Sequence, residues 1–300
     1  MSIITLLSPN GTMLYRPVNG FIGAWDISHD SRTIAYGMDS GLHLAPAARN
    51  VAEAHELGSP DARRISDDVP GWIAWSPDNT RLLYVDSEFN LKIIPVNDGQ
   101  PQLLDNLATT EYTSLAWSPD GQSVAFLGDQ LLIFDATTGS KRTLTDTPDH
   151  GIGFLRSGIE YVNFSPDGQQ LLFSKNHGLS VIQIDGSGEM QIVEGSLRAP
   201  KTWGRWSPDG SAISYLSGGG GISTKVMVRP LDSSAGIKVA EGVLAESGVI
   251  WSENGNYLIY VDDQIRVTLL NLANGIAYKL TAWQGGGYIT FETRWRNVLP

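Results

Sequence analysis

Apolar residues along this chain come in short runs of four to eight, with almost no helical spacing. The stretch from Trp72 to Val96, "WIAWSPDNTRLLYVDSEFNLKIIPV", shows the pattern. "GWIAWS", "RLLYVD" and "NLKIIPV" are rich in β-branched and aromatic residues and bounded by Pro, Asp and Asn. That composition predicts three strands of a meander, and "PQLLD" after the turn "NDG" predicts a fourth. The following segment parses identically into "SLAWS", "SVAFLG", "LLIFDA" and "RTLTD". One insertion at 46–64 interrupts the pattern, and its "AARNVAEAHEL" predicts a short helix.

The four-strand unit recurs. Aligned on the aromatic residue before the turn, copies stand at Trp25, Trp75, Trp117, Phe164, Trp206 and Trp251, with a degenerate seventh, "TRWRN", at Trp295. The spacings are 50, 42, 47, 42, 45 and 44 residues. A period near 45 with an aromatic marker is that of propeller blades built from four strands.

The repeat also decides what the "SPDG" residues do. Ser and Asp close to an aromatic residue resemble a nucleophile and an acid, but six copies cannot be one active site. Pro presets φ, Asp78, Asp120, Asp167 and Asp209 can accept hydrogen bonds from the backbone two residues on, and Gly or Asn takes the position needing φ > 0. The marker aromatics are expected to pack between neighbouring blades.

Units of the form W-S-P-D-G-x-x-[LI]-x-[FY] resemble those of TolB-like (WD40-like) β-propellers, over residues 18–281. The resemblance implies one all-β domain, a propeller of four-stranded antiparallel blades filling residues 1–300. The N-terminal "IITLLSPNGTMLYRPV" matches the second half of a blade and the C-terminal "YITFETRW" matches an innermost strand. A closing blade shared by both ends favours seven blades, with six as the alternative. Function follows less directly, because this fold serves binding widely and catalysis sometimes.

Composition narrows the partners. With 21 basic and 32 acidic side chains the formal charge is −11, a poor match for nucleic acid or an anionic membrane. There is no cysteine, so disulfides and thiolate chemistry are excluded. The N-terminus lacks a basic n-region, and no apolar run approaches the length of a membrane span, so a cytoplasmic location is the expectation, with a periplasmic or secreted one as the alternative if a leader was removed; a monomer is expected.

Candidate chemistry is sought where one unit departs from the others, on the face carrying the loops before each innermost strand and between second and third strands. One residue before the marker the units read Ala24, Ala74, Ala116, Asn163, Arg205, Ile250 and Arg294. Large aromatics, Trp72, Tyr112, Tyr161 and Trp203, gather near the strand starts. With Glu160, Asn163, Arg205 and Arg294 they form a candidate ligand-binding channel mouth. His150, Arg156 and Trp283 lie in irregular loops of the same face, whereas Asp39, Asp86, Glu88, Asp129, Asp262 and Asp263 read as solvated turn carboxylates. The five histidines show no metal-binding spacing, and no G-x-S-x-G elbow occurs.

The leading expectation is a non-catalytic module binding a protein or small ligand at this mouth without a cofactor. The alternative is a channel hydrolase or lyase with a carboxylate-bound Ca²⁺, for which Glu160, Asn163, Glu246 and Glu292 are the candidate donors.

Overall fold

The computed structural model describes residues 24–47, 62–97, 99–107, 114–146, 161–196, 201–218, 224–244, 248–264 and 266–282. They form six four-stranded antiparallel sheets, each a meander in chain order. Blade 1 comprises Trp25–Ile27 (β1), Thr33–Met38 (β2), Gly41–Pro46 (β3) and Arg63–Ser66 (β4). Blade 2 comprises Pro70–Trp75 (β5), Arg81–Asp86 (β6), Asn90–Pro95 (β7) and Gln102–Asn106 (β8). Blade 3 runs through Ser114–Trp117 (β9), Ser123–Leu127 (β10), Gln130–Asp135 (β11) and Lys141–Asp146 (β12). Blade 4 has Val162–Phe164 (β13), Gln170–Lys175 (β14), Gly178–Gln183 (β15) and Met190–Val193 (β16). Blade 5 has Lys201–Trp206 (β17), Ala212–Ser217 (β18), Thr224–Pro230 (β19) and Ile237–Val243 (β20). Blade 6 has Ile250–Trp251 (β21), Tyr257–Val261 (β22), Arg266–Asn271 (β23) and Ala277–Ala282 (β24). The shared closing blade and the helix expected within 46–64 fall outside the described residues.

Successive blades meet through their first strands, β1 against β5, β9 against β13 and β13 against β17. The second strands are therefore covered on both faces. In β6, Leu82, Leu83 and Tyr84 are fully buried, and Ile34 to Tyr36 in β2 are alike. This is why "RLLYVD" and "TIAYGM" read as continuous apolar runs instead of alternating ones. Fourth strands form the outer rim, where Leu103, Met190, Ile237 and Tyr278 are exposed.

The "SPDG" segment works as a hydrogen-bonded turn between first and second strands. Ser76 Oγ donates to Asp78 Oδ1 at 2.6 Å, Thr80 N donates to the same oxygen at 3.0 Å, and Arg81 N donates to Ser76 Oγ at 2.9 Å. The Ser-to-Asp bond recurs at Ser118–Asp120, Ser165–Asp167 and Ser207–Asp209, and with Asn254 replacing Asp in blade 6. Asn79, Gly121, Gly168, Gly210 and Gly255 occupy the left-handed position, with φ between 60° and 72°.

Blade 1 requires a correction. Its turn begins at Ser28, whose Oγ donates to Asp30 at 2.6 Å. Ile27 pairs with Ile34 as Trp75 pairs with Leu82. Ile27 thus holds the marker place assigned to Trp25, and Asp26, not Ala24, precedes it. The physical reason is strand register: an aromatic residue two places early still points to the same face.

These turns make stability depend on acid. Hydrogen bonds from Ser207 Oγ, then Ser211 N and Oγ, hold Asp209 down to about 2. Ser118 and the Gln122 N–H likewise lower Asp120, and Ser165 and the Gln169 N–H lower Asp167. A depressed folded pKa contributes stability above the unfolded value and loses it as pH falls through the folded one. The melting temperature is expected to hold near neutrality and to fall from about pH 4 down to about pH 2. In Asp209→Asn the same acid scan should show a smaller fall.

Candidate functional site

The first strands of blades 4 and 5 bring four of the expected mouth residues together. Tyr161 and Trp203 sit with ring centroids 5.0 Å apart at an interplanar angle of 47°. Arg205 lays its guanidinium over the Tyr161 ring, Cζ 4.2 Å from the centroid. Arg205 Nη1 donates to Asn163 Oδ1 at 2.9 Å, and Asn163 Nδ2 donates to the Gly204 carbonyl at 2.8 Å. All four side chains are partly exposed.

The strand is distorted to make this contact. The β17–β18 ladder shifts register between Thr202 and Arg205. Inside that bulge Trp203 has φ of 55°, a left-handed conformation rare for a bulky residue and worth about 1–3 kcal/mol of strain. Its indole lies against Gly248, where an added Cβ would stand 2.9 Å from Cε3. Trp203 thus bridges Tyr161 of blade 4 and the start of blade 6, and glycine at 248 is what admits the ring.

Cations accompany these rings. Lys201 opens β17, its Nζ 2.6 Å from Ser217 Oγ. Burial, followed by repulsion from Lys225, pushes its pKa below the ordinary lysine range.

Other expected residues lie elsewhere. Trp72 packs against the core between blades 2 and 3, beside Leu83, Val85 and Phe126. Tyr112, Glu160, Arg294, His150, Arg156 and Trp283 fall outside the described residues. Asp86 and Asp262 are not solvated turn acids, being 6% and 7% exposed. Each caps its own turn by accepting backbone N–H groups, from Glu88 and Asn90 or from Gln264 and Arg266. A shallow depression of about 180 Å³ also opens on the loop face, between blades 1 and 2, along Gly37–Asp39 and Val69–Gly71.

Sequence reasoning missed Lys201, Ser217 and Lys225, although a column eleven residues after the marker, reading Asp86, Gly128, Lys175, Ser217 and Asp262, carries the signal. It also missed Asp26, 5% exposed, whose Oδ2 accepts the Trp75 N–H at 2.8 Å and whose Oδ1 accepts that of Ile27 at 2.8 Å. Among the described residues no three His, Asp or Glu side chains gather as a metal site.

No family model matches the chain, and no curated protein matches it. Solved structures do. Oligogalacturonate lyase from Vibrio parahaemolyticus is similar at 17% identity and a TM-score of 0.61, over 87% of this chain and 77% of that one. An oligogalacturonate lyase in complex with manganese is similar at 15% identity and a TM-score of 0.65, over 89% and 78%. TolB from Acinetobacter baumannii is similar at 16% identity and a TM-score of 0.54, over 86% of this chain and 62% of that one. At such identities the likeness establishes the fold: a β-propeller of the kind found in TolB and in the lyases.

Proposed function

We propose that this protein is a non-catalytic binding module that takes a ligand with a flat face at the junction of blades 4 and 5. The observation that carries this is Trp203, held in a left-handed conformation so that its ring meets Tyr161, which Arg205 covers from blade 5. Strain of this kind persists where surrounding contacts over-determine it, and it gathers at ligand sites. Two aromatic rings and a guanidinium offer stacking and cation–π contacts.

A neutral aromatic amide, benzamide, is a suitable probe, read through tryptophan fluorescence on the full chain. Trp203→Ala and Tyr161→Ala are each expected to weaken binding at least tenfold. Trp72→Ala, in the blade 2–3 core, should leave the affinity unchanged while lowering the melting temperature. Equal affinities in all three variants would reject the mapped mouth.

Of the four donors expected for the alternative, a channel hydrolase or lyase around a carboxylate-bound cation, Glu160, Glu246 and Glu292 lie outside the described residues. Asp26 is occupied by two N–H groups, and the Asn163 amide by Arg205 and Gly204.

A further inference from the structure

Comparing the blades with one another isolates one rung. At the end of the second strand, blades 2 and 6 carry Asp86 and Asp262, each neutralised within its own blade. Lys92 Nζ stands 2.7 Å from Asp86 Oδ2, and Arg266 Nη2 stands 2.7 Å from Asp262 Oδ2. Blade 5 has Ser217 at this place, opposite Lys201 on β17 and Lys225 on β19. Arg266 and Lys225 correspond, since each faces the eleventh residue after its marker. Blade 5 therefore keeps the third-strand cation, gains a second on the first strand, and lacks the carboxylate between them.

Residues directly opposed in a sheet share a face, so both ammonium groups lie on the side of Ser217. That side also carries Ile213, Tyr215 and Met227, which pack toward Leu172 and Leu179 of blade 4. Glu241 lies opposite Lys225; its carboxylate is paired with Lys238 at 2.6 Å and is also held down, more weakly, by the charge of Lys225. Among the described residues no carboxylate forms an ion pair with Lys201 or Lys225. Like charges opposed across a ladder are destabilising unless an anion joins them. The rung itself carries two positive charges in a chain of formal charge −11.

We propose that the Lys201–Ser217–Lys225 rung binds the oxyanion group of a small organic anion, carboxylate or phosphate, which plays the part that Asp86 and Asp262 play in their own blades. Two ammonium groups and the Ser217 hydroxyl donate to the ligand oxygens, and the neighbouring Trp203 and Tyr161 rings receive its body. The inference rests on the mouth of blades 4 and 5 being the binding face.

The test is isothermal titration of the full chain with benzoate, phenyl phosphate and uncharged benzamide. At least one anion is expected to bind ten times or more tightly than benzamide, and the benzoate-to-phosphate ratio identifies the oxyanion. Ser217→Asp, which restores the residue of blades 2 and 6, should weaken the anion at least tenfold, leave benzamide unaffected and raise the melting temperature. Lys201→Gln should weaken the anion similarly and serves if Ser217→Asp does not fold. Anions binding no tighter than benzamide, or binding undiminished in both variants, overturn the rung while leaving the aromatic mouth standing. Anion binding that survives Trp203→Ala but not Ser217→Asp supports the rung and removes the aromatic contact. Failure of all three probes to bind overturns both.

Discussion

Trp75→Ala is expected to destabilise the protein by about 4 kcal/mol, the range for removing a buried tryptophan from a core that cannot fully collapse. Trp75 is 2% exposed and packs among Ala24, Leu42, Leu82, Tyr84 and Ile94, at the seam of blades 1 and 2. Its backbone N–H and its indole N–H both reach Asp26, at 2.8 Å to Oδ2 and 3.2 Å to the carbonyl. Denaturant unfolding followed by circular dichroism measures the loss.

A finer comparison separates packing from hydrogen bonding. Trp206 holds the same place in blade 5, but its buried Nε1 has no partner among the described residues. Phenylalanine is natural at this place in blade 4, as Phe164. Trp75→Phe is therefore expected to cost about 1 kcal/mol more than Trp206→Phe, because only the former gives up a hydrogen bond. Equal costs would show that the indole bond to Asp26 contributes nothing.

Lys92→Met is expected to cost about 2–3 kcal/mol, somewhat below the full range for breaking a buried ion pair because the site is partly wet. Lys92 Nζ sits 3.0 Å from Asp68 and 2.7 Å from Asp86, with side chains 18%, 26% and 5% exposed. The fully buried Tyr84 adds its hydroxyl to Asp68 at 2.5 Å. Burial alone would raise Asp86; hydrogen bonds from Lys92 and Asn90 outweigh it and hold the carboxyl below the usual range. Stability from a depressed carboxyl is present above its unfolded value and lost as pH falls through the folded one. The gap between wild type and Lys92→Met should thus be widest near neutrality and close below about pH 4. Asp86→Asn combined with Lys92→Met should cost less than Lys92→Met alone, since no charge is left stranded. Melting curves across pH check both statements.

Much of this architecture was legible in the sequence because its causes are local. Each "SPDG" turn is held by bonds spanning two to five residues, as at Ser76, Asp78, Thr80 and Arg81, so it announces itself wherever it occurs. Second strands declared themselves as unbroken apolar runs. The clustering of Tyr161, Asn163, Trp203 and Arg205 followed from aligning first strands, because side chains at equivalent places share a face.

What stayed hidden depended on distant partners. Ile27 is an unremarkable apolar residue until its pairing with Ile34 places it level with Trp75. Asp86 reads as a turn acid until folding brings Lys92 against it. Trp203 gives no hint in its letters of a left-handed backbone, which arises from the bulge opposite Tyr215 and from the space above Gly248.

Short-range chemistry, then, specified the strands, the turns and their repetition, for these need only neighbours along the chain. The charge left between Lys201 and Lys225, 24 residues apart, emerged only when three strands paired and set them on either side of Ser217. Pairing register is a property of whole sheets, which no single segment encodes.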